Sequence, residues 1–354
     1  MEQMSSNENL LKTIAEKNLP PIPDDLNEVR ELLQNEIYGR FPTDPCVVTA
    51  SEPKRLYGGF PNFDLSEVIL TVQVRGREFS FPIKQAIHRD GRKRPFFILN
   101  NFRPDQPDLY CPLEEIEDNE FDLISVCYKD ITSDDGDFTN GVADIFVGGN
   151  DRSAHECGKI VLWAWANMRV LDYAQTIPCL DTEHAAVVGH SRLGKTALVT
   201  GAFDSRFRYI FSNNAGCSGD AANRLKGGES VEDITRVFPY WFCPHYRDYA
   251  DKEDQMPFDQ HFLIAACYPR CVCVGASSLD SWADPQAEYL TVGAASEYYE
   301  RNGKVGFICP DRLPVDGEKM LGGTLGYHLK AGPHYFSRHD WNRYMEFVRR
   351  HWGD

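Results

Sequence analysis

The stretch His184–Ala197, HAAVVGHSRLGKTA, constrains this chain more than any other. Ala185 to Val188 are small or β-branched apolar residues, the signal of a short buried strand. Gly189 permits a sharp turn, and Thr196-Ala197-Leu198 continue on a helical pattern. Ser191 therefore stands at the apex of a strand–turn–helix. A tight turn of this kind lifts a serine hydroxyl clear of a sheet and sets its oxygen beside a helix N-terminus, the geometry of a nucleophile elbow. The local letters are G-H-S-R-L-G, so the second glycine falls one place later than in G-x-S-x-G. The plainer alternative is a turn in which Ser191 merely caps the helix.

Other buried-strand and helix signals surround the elbow. Leu26–Tyr38 carries apolar residues at helical spacing, ended by Gly39 and Pro42. Pro45–Glu52, Leu65–Val74 and Glu78–Ile87 alternate and predict antiparallel strands in an N-terminal meander. Pro95–Asn100 and Phe121–Tyr128 are continuous apolar runs suited to fully buried strands. Ser153–Ala174 predicts a long helix leading into the elbow strand. Short strands are expected at Arg208–Ser212 and Arg270–Ser277, and a terminal helix at His339–Trp352. Buried strands alternating with helices predict an α/β fold with a mostly parallel sheet covered on both faces. With no internal repeat or interdomain linker, the chain divides into a polar lead-in over residues 1–25 and one domain over 26–354.

Bulk properties narrow the function. Of the 354 residues, 42% are hydrophobic and 12% aromatic, enough for a large core. The net charge of −16 argues against nucleic acid or an anionic membrane as partner, since both reward a basic face. No run approaches the ~20 apolar residues of a membrane span. The lead-in lacks an apolar signal core and a small-residue cleavage site. This predicts a cytoplasmic protein, or a secreted or periplasmic one if a leader has been removed. The 11 cysteines are odd in number and lie mostly in apolar runs, which fits buried free thiols. Cys271 and Cys273 alternate along one strand and should share a face.

An acyl-transfer serine needs a base, an acid that orients the base, and donors for the oxyanion. An α/β-hydrolase presents them in the order serine, acid, histidine. Here Ser191 is followed by SLDSWADPQAE, with Asp280 and Asp284 as candidate acids, and then by GYHLKAGPHYFSRHDW. His334 is the expected base, because it follows Gly332-Pro333 close to the terminal helix. His328 is expected in the preceding strand. Asp284 precedes Pro285 and could instead cap the next helix. Asp259-Gln260-His261 and the two late histidines lack a third ligand at convincing spacing, so neither a metal nor another cofactor is expected.

Gly189–Lys195, GHSRLGK, resembles the G-C-S-R-x-G-K elbow of the carbohydrate esterase family 15 glucuronoyl esterases. KIVLWAWANMRVLDY, SNNAGCSGDAANR, PYWFC, FDQHFLIAACYPR, SSLDSWADP and GYHLKAGPH…DW resemble further segments of bacterial members, in order, from about Leu26 to Trp352. The resemblance implies an α/β-hydrolase fold and a serine esterase acting on esters of (4-O-methyl-)glucuronate, as in lignin–xylan linkages. It assigns Arg192 to the oxyanion hole, Lys195 to the uronate hydroxyls, Trp282 to packing on the sugar and Glu229 to accepting a hydroxyl at the opposite rim. Arg192 and Lys195 in a first helical turn oppose the helix dipole, so a ligand or an acidic partner should offset them.

Two departures stand out. Where some members carry the triad acid as a Glu soon after the elbow, this chain has Asn213-Asn214-Ala215-Gly216, and an amide cannot neutralise an imidazolium. The acid must come from elsewhere; other bacterial members place it in the loop after the late strand, so the resemblance implies Asp280 as the acid, with Asp284 as substitute. Where fungal members have a disulfide linking the residue before the nucleophile to one after the catalytic histidine, this chain has His190 and Tyr335. Two other functions share the fold. One is an intracellular sugar acetyl esterase, of the acetylxylan type, acting on acylated xylo-oligosaccharides by the same mechanism. The other is a catalytically silent carbohydrate-binding homologue, suggested by the Asn213-Asn214 exchange.

Overall fold

A computed structural model of the protein describes residue 14 and residues 18–353, except Gly58 and Lys226. One eleven-stranded sheet runs through it. Its strands are β1 (Cys46–Ala50), β2 (Lys54–Arg55), β3 (Phe63–Val74), β4 (Arg77–His88), β5 (Arg94–Asn101), β6 (Asp122–Cys127), β7 (Leu180–His190), β8 (Tyr209–Asn213), β9 (Cys271–Ser277), β10 (Lys319–Met320) and β11 (Leu325–Lys330). The spatial order is β1-β3-β4-β6-β5-β7-β8-β9-β11-β10, with β2 also on β3. From β6 through β5, β7, β8 and β9 to β11 every pairing is parallel. The N-terminal strands and β10 pair antiparallel. This is the α/β-hydrolase arrangement, with a meander added at its N-terminal edge.

The main helices are α1 (Leu26–Leu33), α2 (Leu113–Asp118), α3 (Lys159–Ala174), α4 (Arg192–Phe203), α5 (Pro285–Arg301) and α6 (Arg338–Arg350). The two-residue period of the strands sorts their side chains into two cores. Phe96, Ile98, Val187, Val272 and Val274 pack with α1, α3, α4 and α5. Phe97, Leu99, Val188, Cys271 and Cys273 pack with α2 and α6. Cys271 and Cys273 thus share a face as expected. Among the described residues no cysteine is in a disulfide.

Several boundaries shift for local reasons. The helix expected from Ser153 begins only at Lys159, because Gly158 passes so close to Trp241 that a Cβ there would overlap its carbonyl. The helix expected over Leu26–Tyr38 is α-helical to Leu33 and a π-turn from Gln34 to Tyr38. Gly39 ends it at φ +85°, a conformation that glycine adopts without strain.

The lead-in expected over residues 1–25 falls outside the described residues at 1–13 and 15–17. Its described remainder is fastened to the domain. Ile22 is buried, His261 Nε2 is 2.9 Å from the Pro20 carbonyl, and Tyr298 donates to the Asp24 carbonyl at 2.9 Å. Among the described residues, no helix is long and apolar enough to cross a membrane.

Candidate active site

β7 ends at His190 and α4 begins at Arg192. Ser191 joins them at φ +57°, ψ −129°, a strained conformation for a non-glycine residue. Its N–H donates to the Asn213 carbonyl at 2.8 Å, and its own carbonyl accepts from Gly194 N–H at 2.8 Å. The side chain makes no capping hydrogen bond, so the hydroxyl is not spent on the helix. A Cβ on Gly189 would overlap the Leu193 carbonyl, which accounts for the first glycine. The second falls at Gly194 because α4 packs there against β8. A Cβ at that position would lie 2.9 Å from Ser212 Oγ and 3.1 Å from Ala215 Cβ. Position 193 holds a buried leucine instead.

His334 lies on the loop between β11 and α6. Its Nδ1 is 2.5 Å from Asp280 Oδ2. The carboxylate accepts, so the proton resides on Nδ1 and the basic lone pair on Nε2. The imidazole is 42% exposed and the carboxylate 4%. Burial would raise the Asp280 pKa, but the His334 hydrogen bond and charge outweigh it, with help from the Asn214 amide and Ala283 N–H. The carboxyl is held below its ordinary range. Asn214 Nδ2 donates to Asp280 Oδ2 at 2.8 Å and to Ser277 Oγ at 2.9 Å. Asn214, from the segment where some family members carry the acid, therefore bonds the carboxylate that meets His334. Asp284 is not brought to His334. It caps α5 in a left-handed conformation, accepting from Ala287 N–H at 3.1 Å.

His328 lies in β11, fully buried, with Nε2 2.9 Å from Asp340 Oδ1. It belongs to the packing of α6 rather than to the serine. His190 is buried beside His334, ring centroids 4.5 Å apart, and its Nδ1 meets Asn213 Oδ1 at 2.8 Å. Burial, followed by the charge of His334, pushes the His190 pKa down to about 3. The two positions that hold a disulfide in fungal members are both in contact with Tyr110. Its ring is 5.0 Å from that of His190 and 5.3 Å from that of Tyr335.

The acidic partner expected for the first turn of α4 is Asp134, which pairs with Arg192 Nη1. Asp134 also accepts from Trp241 Nε1 at 2.8 Å and from the Tyr128 hydroxyl at 2.9 Å. The Arg192 guanidinium lies 4.5 Å from the Trp241 ring and 5.2 Å from that of Phe238. Its Nε is buried and unpartnered among the described residues. Nothing in the spacing of the sequence pointed to Asp134. The one available signal was an acidic loop, TSDDGD, following a buried strand.

Lys195 is buried, with Nζ donating to the Ala215 carbonyl. Glu229 and Trp282 are joined through the backbone. The Glu229 N–H donates to the Trp282 carbonyl at 2.9 Å. Burial raises the Glu229 pKa, and the nearby Lys195 charge opposes it. Trp282 is 58% exposed, its ring free to cover a ligand. The structure thus gathers Lys195, Glu229 and Trp282 into one group beside the elbow. Among the described residues, no cluster of three His, Cys, Asp or Glu side chains could hold a metal ion.

The family described as glucuronyl esterase, fungi, matches residues 140–303. A carbohydrate esterase from an unknown prokaryotic organism is 42% identical over 194 residues, covering 55% of this chain and 44% of that protein. A 4-O-methyl-glucuronoyl methylesterase of Podospora anserina is 27% identical over 287 residues, covering 78% of this chain and 55% of the relative. The glucuronoyl esterase of Solibacter usitatus superposes with a TM-score of 0.83 at 26% identity, over 93% of this chain and 92% of the other. The chain is similar to carbohydrate esterase family 15 glucuronoyl esterases in sequence over part of its length and in fold over nearly all of it.

The chain spans about half the length of the curated relatives it matches, 44% and 55%. The family match includes Ser191, Arg192, Lys195, Glu229, Asp280 and Trp282, and it ends before His334. His334 is tied to the elbow by its ring contact with His190 and is bonded to Asp280.

Proposed function

We propose that this protein is a serine carboxylic-ester hydrolase that cleaves esters of (4-O-methyl-)glucuronic acid. The observation that carries the reading is the Asp280–His334 pair standing beside the Ser191 elbow, next to the group of Lys195, Glu229 and Trp282. His334 Nε2 takes the Ser191 proton as Oγ attacks the uronoyl carbonyl carbon. Negative charge builds on the carbonyl oxygen, where the Arg192 backbone N–H and guanidinium stabilise it. Asp280 stabilises the imidazolium. As the acyl C–O bond breaks, its electrons go to the alcohol oxygen, which takes the proton from His334. Water then attacks the acyl-enzyme with the same base, releasing the uronate and restoring Ser191.

The substrate class rests on polar and apolar groups of the right kind. A uronate presents hydroxyls, which Lys195 and Glu229 can bind, and a C–H face, which the exposed Trp282 ring can cover. The test is the rate on methyl and benzyl glucuronate beside p-nitrophenyl acetate and acetylated xylo-oligosaccharide. The reading expects kcat/KM on the uronate esters to exceed that on the acetyl esters. A clear preference for acetyl esters would move the substrate to sugar acetates, and inactivity on all of them would leave only carbohydrate binding.

A further inference from the structure

Lys159 stands where a lysine is disfavoured twice over. It is buried, and it opens α3, where the helix dipole opposes a cation. Arg152 shares the Phe138 ring with it, the guanidinium carbon and Lys159 Nζ lying 4.3 and 4.4 Å from the ring centroid. A buried ammonium persists only where acceptors surround it. Lys159 Nζ finds them on one loop, donating to Thr132 Oγ1 at 2.7 Å, to the Asp137 carbonyl at 2.6 Å and to Ser133 Oγ at 3.5 Å. These three residues bracket Asp134, the partner of Arg192.

The start of α3 also holds the aromatic side of the Arg192 surroundings. Lys159 N–H donates to the Tyr240 carbonyl at 2.9 Å, and Ile160 N–H to that of Trp241 at 3.4 Å. Arg152 adds bonds to the carbonyls of Phe242 at 2.8 Å and Pro239 at 3.1 Å. That segment carries Phe238 and Trp241, whose rings lie against the Arg192 guanidinium. The backbone of α3 thus fixes the aromatic wall around Arg192, and the Lys159 side chain fixes the carboxylate wall.

We propose that Lys159 is a positioning residue for ester hydrolysis: its ammonium fastens residues 132–137 so that Asp134 aims the Arg192 guanidinium at the oxyanion. This rests on the esterase reading above, with Arg192 as oxyanion donor, and adds a residue that acts only through Asp134 and Arg192. Losing the Lys159 proton undoes the fastening, since a neutral amine has one N–H fewer and no charge to hold its acceptors. Burial pushes the Lys159 pKa down to about 8. Of the charged groups that face it, Asp135, Asp137 and Asp134 oppose that shift and Arg152 adds to it. Its titratable neighbours Cys157 and Tyr240 are each pushed up to about 12, chiefly by burial, and stay neutral through that range. The oxyanion forms only on the way through the transition state, so a loosened loop lowers kcat and spares KM.

The experiment measures kcat and KM on benzyl glucuronate from about pH 6 to 9.5 for the wild type, Lys159→Met and Asp135→Asn. Wild-type kcat should fall as pH rises through about 8, with KM nearly constant. Lys159→Met should lower kcat about tenfold at neutral pH and lose that alkaline limb. Asp135→Asn should move the limb to lower pH, because it removes a charge that favours the ammonium. Asp135 is exposed, so this variant decides the matter if Lys159→Met fails to fold. A wild type without the limb, or a limb that persists in Lys159→Met or stays in place in Asp135→Asn, would overturn the positioning role and leave the esterase reading standing. A wild type that cleaves no uronate ester would overturn both.

Discussion

The rings of His190 and His334 lie 4.5 Å apart, one fixed by Asn213 and the other by Asp280. His190 is held neutral by burial, so in the proposed mechanism it braces His334 without opposing an imidazolium there. Truncating it in His190→Ala should lower kcat on benzyl glucuronate about tenfold, with a smaller change in KM. His190→Lys should cost more, because a cation there would oppose the imidazolium.

Asp280 and Asp284 share one loop but differ in what they touch. Asp280→Asn keeps the shape and removes the charge that orients and stabilises His334. It should lower kcat about 10⁴-fold. Asp284→Ala removes a helix cap, and should lower unfolding free energy by about 1 kcal/mol while kcat falls far less. Steady-state kinetics and urea unfolding of the two variants separate these outcomes.

Arg192 is held by Asp134 on one side and by Trp241 and Phe238 on the other. A lysine ammonium cannot lie flat against the rings as the planar guanidinium does. Arg192→Lys should therefore lower kcat by about 10²–10³-fold, the cost of losing an oxyanion donor. Asp134→Asn leaves an acceptor for the Trp241 indole but loses the charge partner of Arg192. Its kcat should fall about tenfold with KM nearly constant, measured on the same ester.

Stability should decline on acidification through the buried set of Asp340, His328 and Lys330. Burial would raise the Asp340 pKa, yet the His328 hydrogen bond and the Lys330 charge hold it well below the ordinary carboxylate range. A depressed carboxyl contributes stability that is complete above its unfolded pKa, about 3.9, and is lost as pH falls through the folded value. Burial lowers the His328 pKa, so protonating that ring below about pH 6.5 also favours the unfolded chain. Asp340→Asn should cost about 3 kcal/mol at pH 7, where it leaves Lys330 without its carboxylate. The gap to wild type should narrow below about pH 4, as urea unfolding at a series of pH values would report.

The parts of this protein that could be read from sequence are those written locally. β5, β7 and β9 are short apolar runs, and each emerges within a residue or two at its core, though β7 extends back to Leu180. The elbow is spelled by Gly189 and Ser191 in sequence, and Asp284-Pro285 spells a helix cap. What could not be read is long-range. Asp134 and Arg192 are 58 positions apart, and Asn214 and Asp280 are 66 apart. Periodicity says nothing about such pairs, because chain topology alone brings them together. The start of α3 was missed for a similar reason, since the approach of Trp241 to Gly158 is a tertiary contact.

The central claim is that the Ser191 hydroxyl performs the chemistry, and hydrolysis of benzyl glucuronate by the wild type and Ser191→Ala tests it most directly. Far-UV circular dichroism would verify that the variant keeps its fold. The account predicts turnover by the wild type and a loss of about 10⁴-fold or more in kcat for the variant. Hydrolysis by Ser191→Ala at close to the wild-type rate would contradict it.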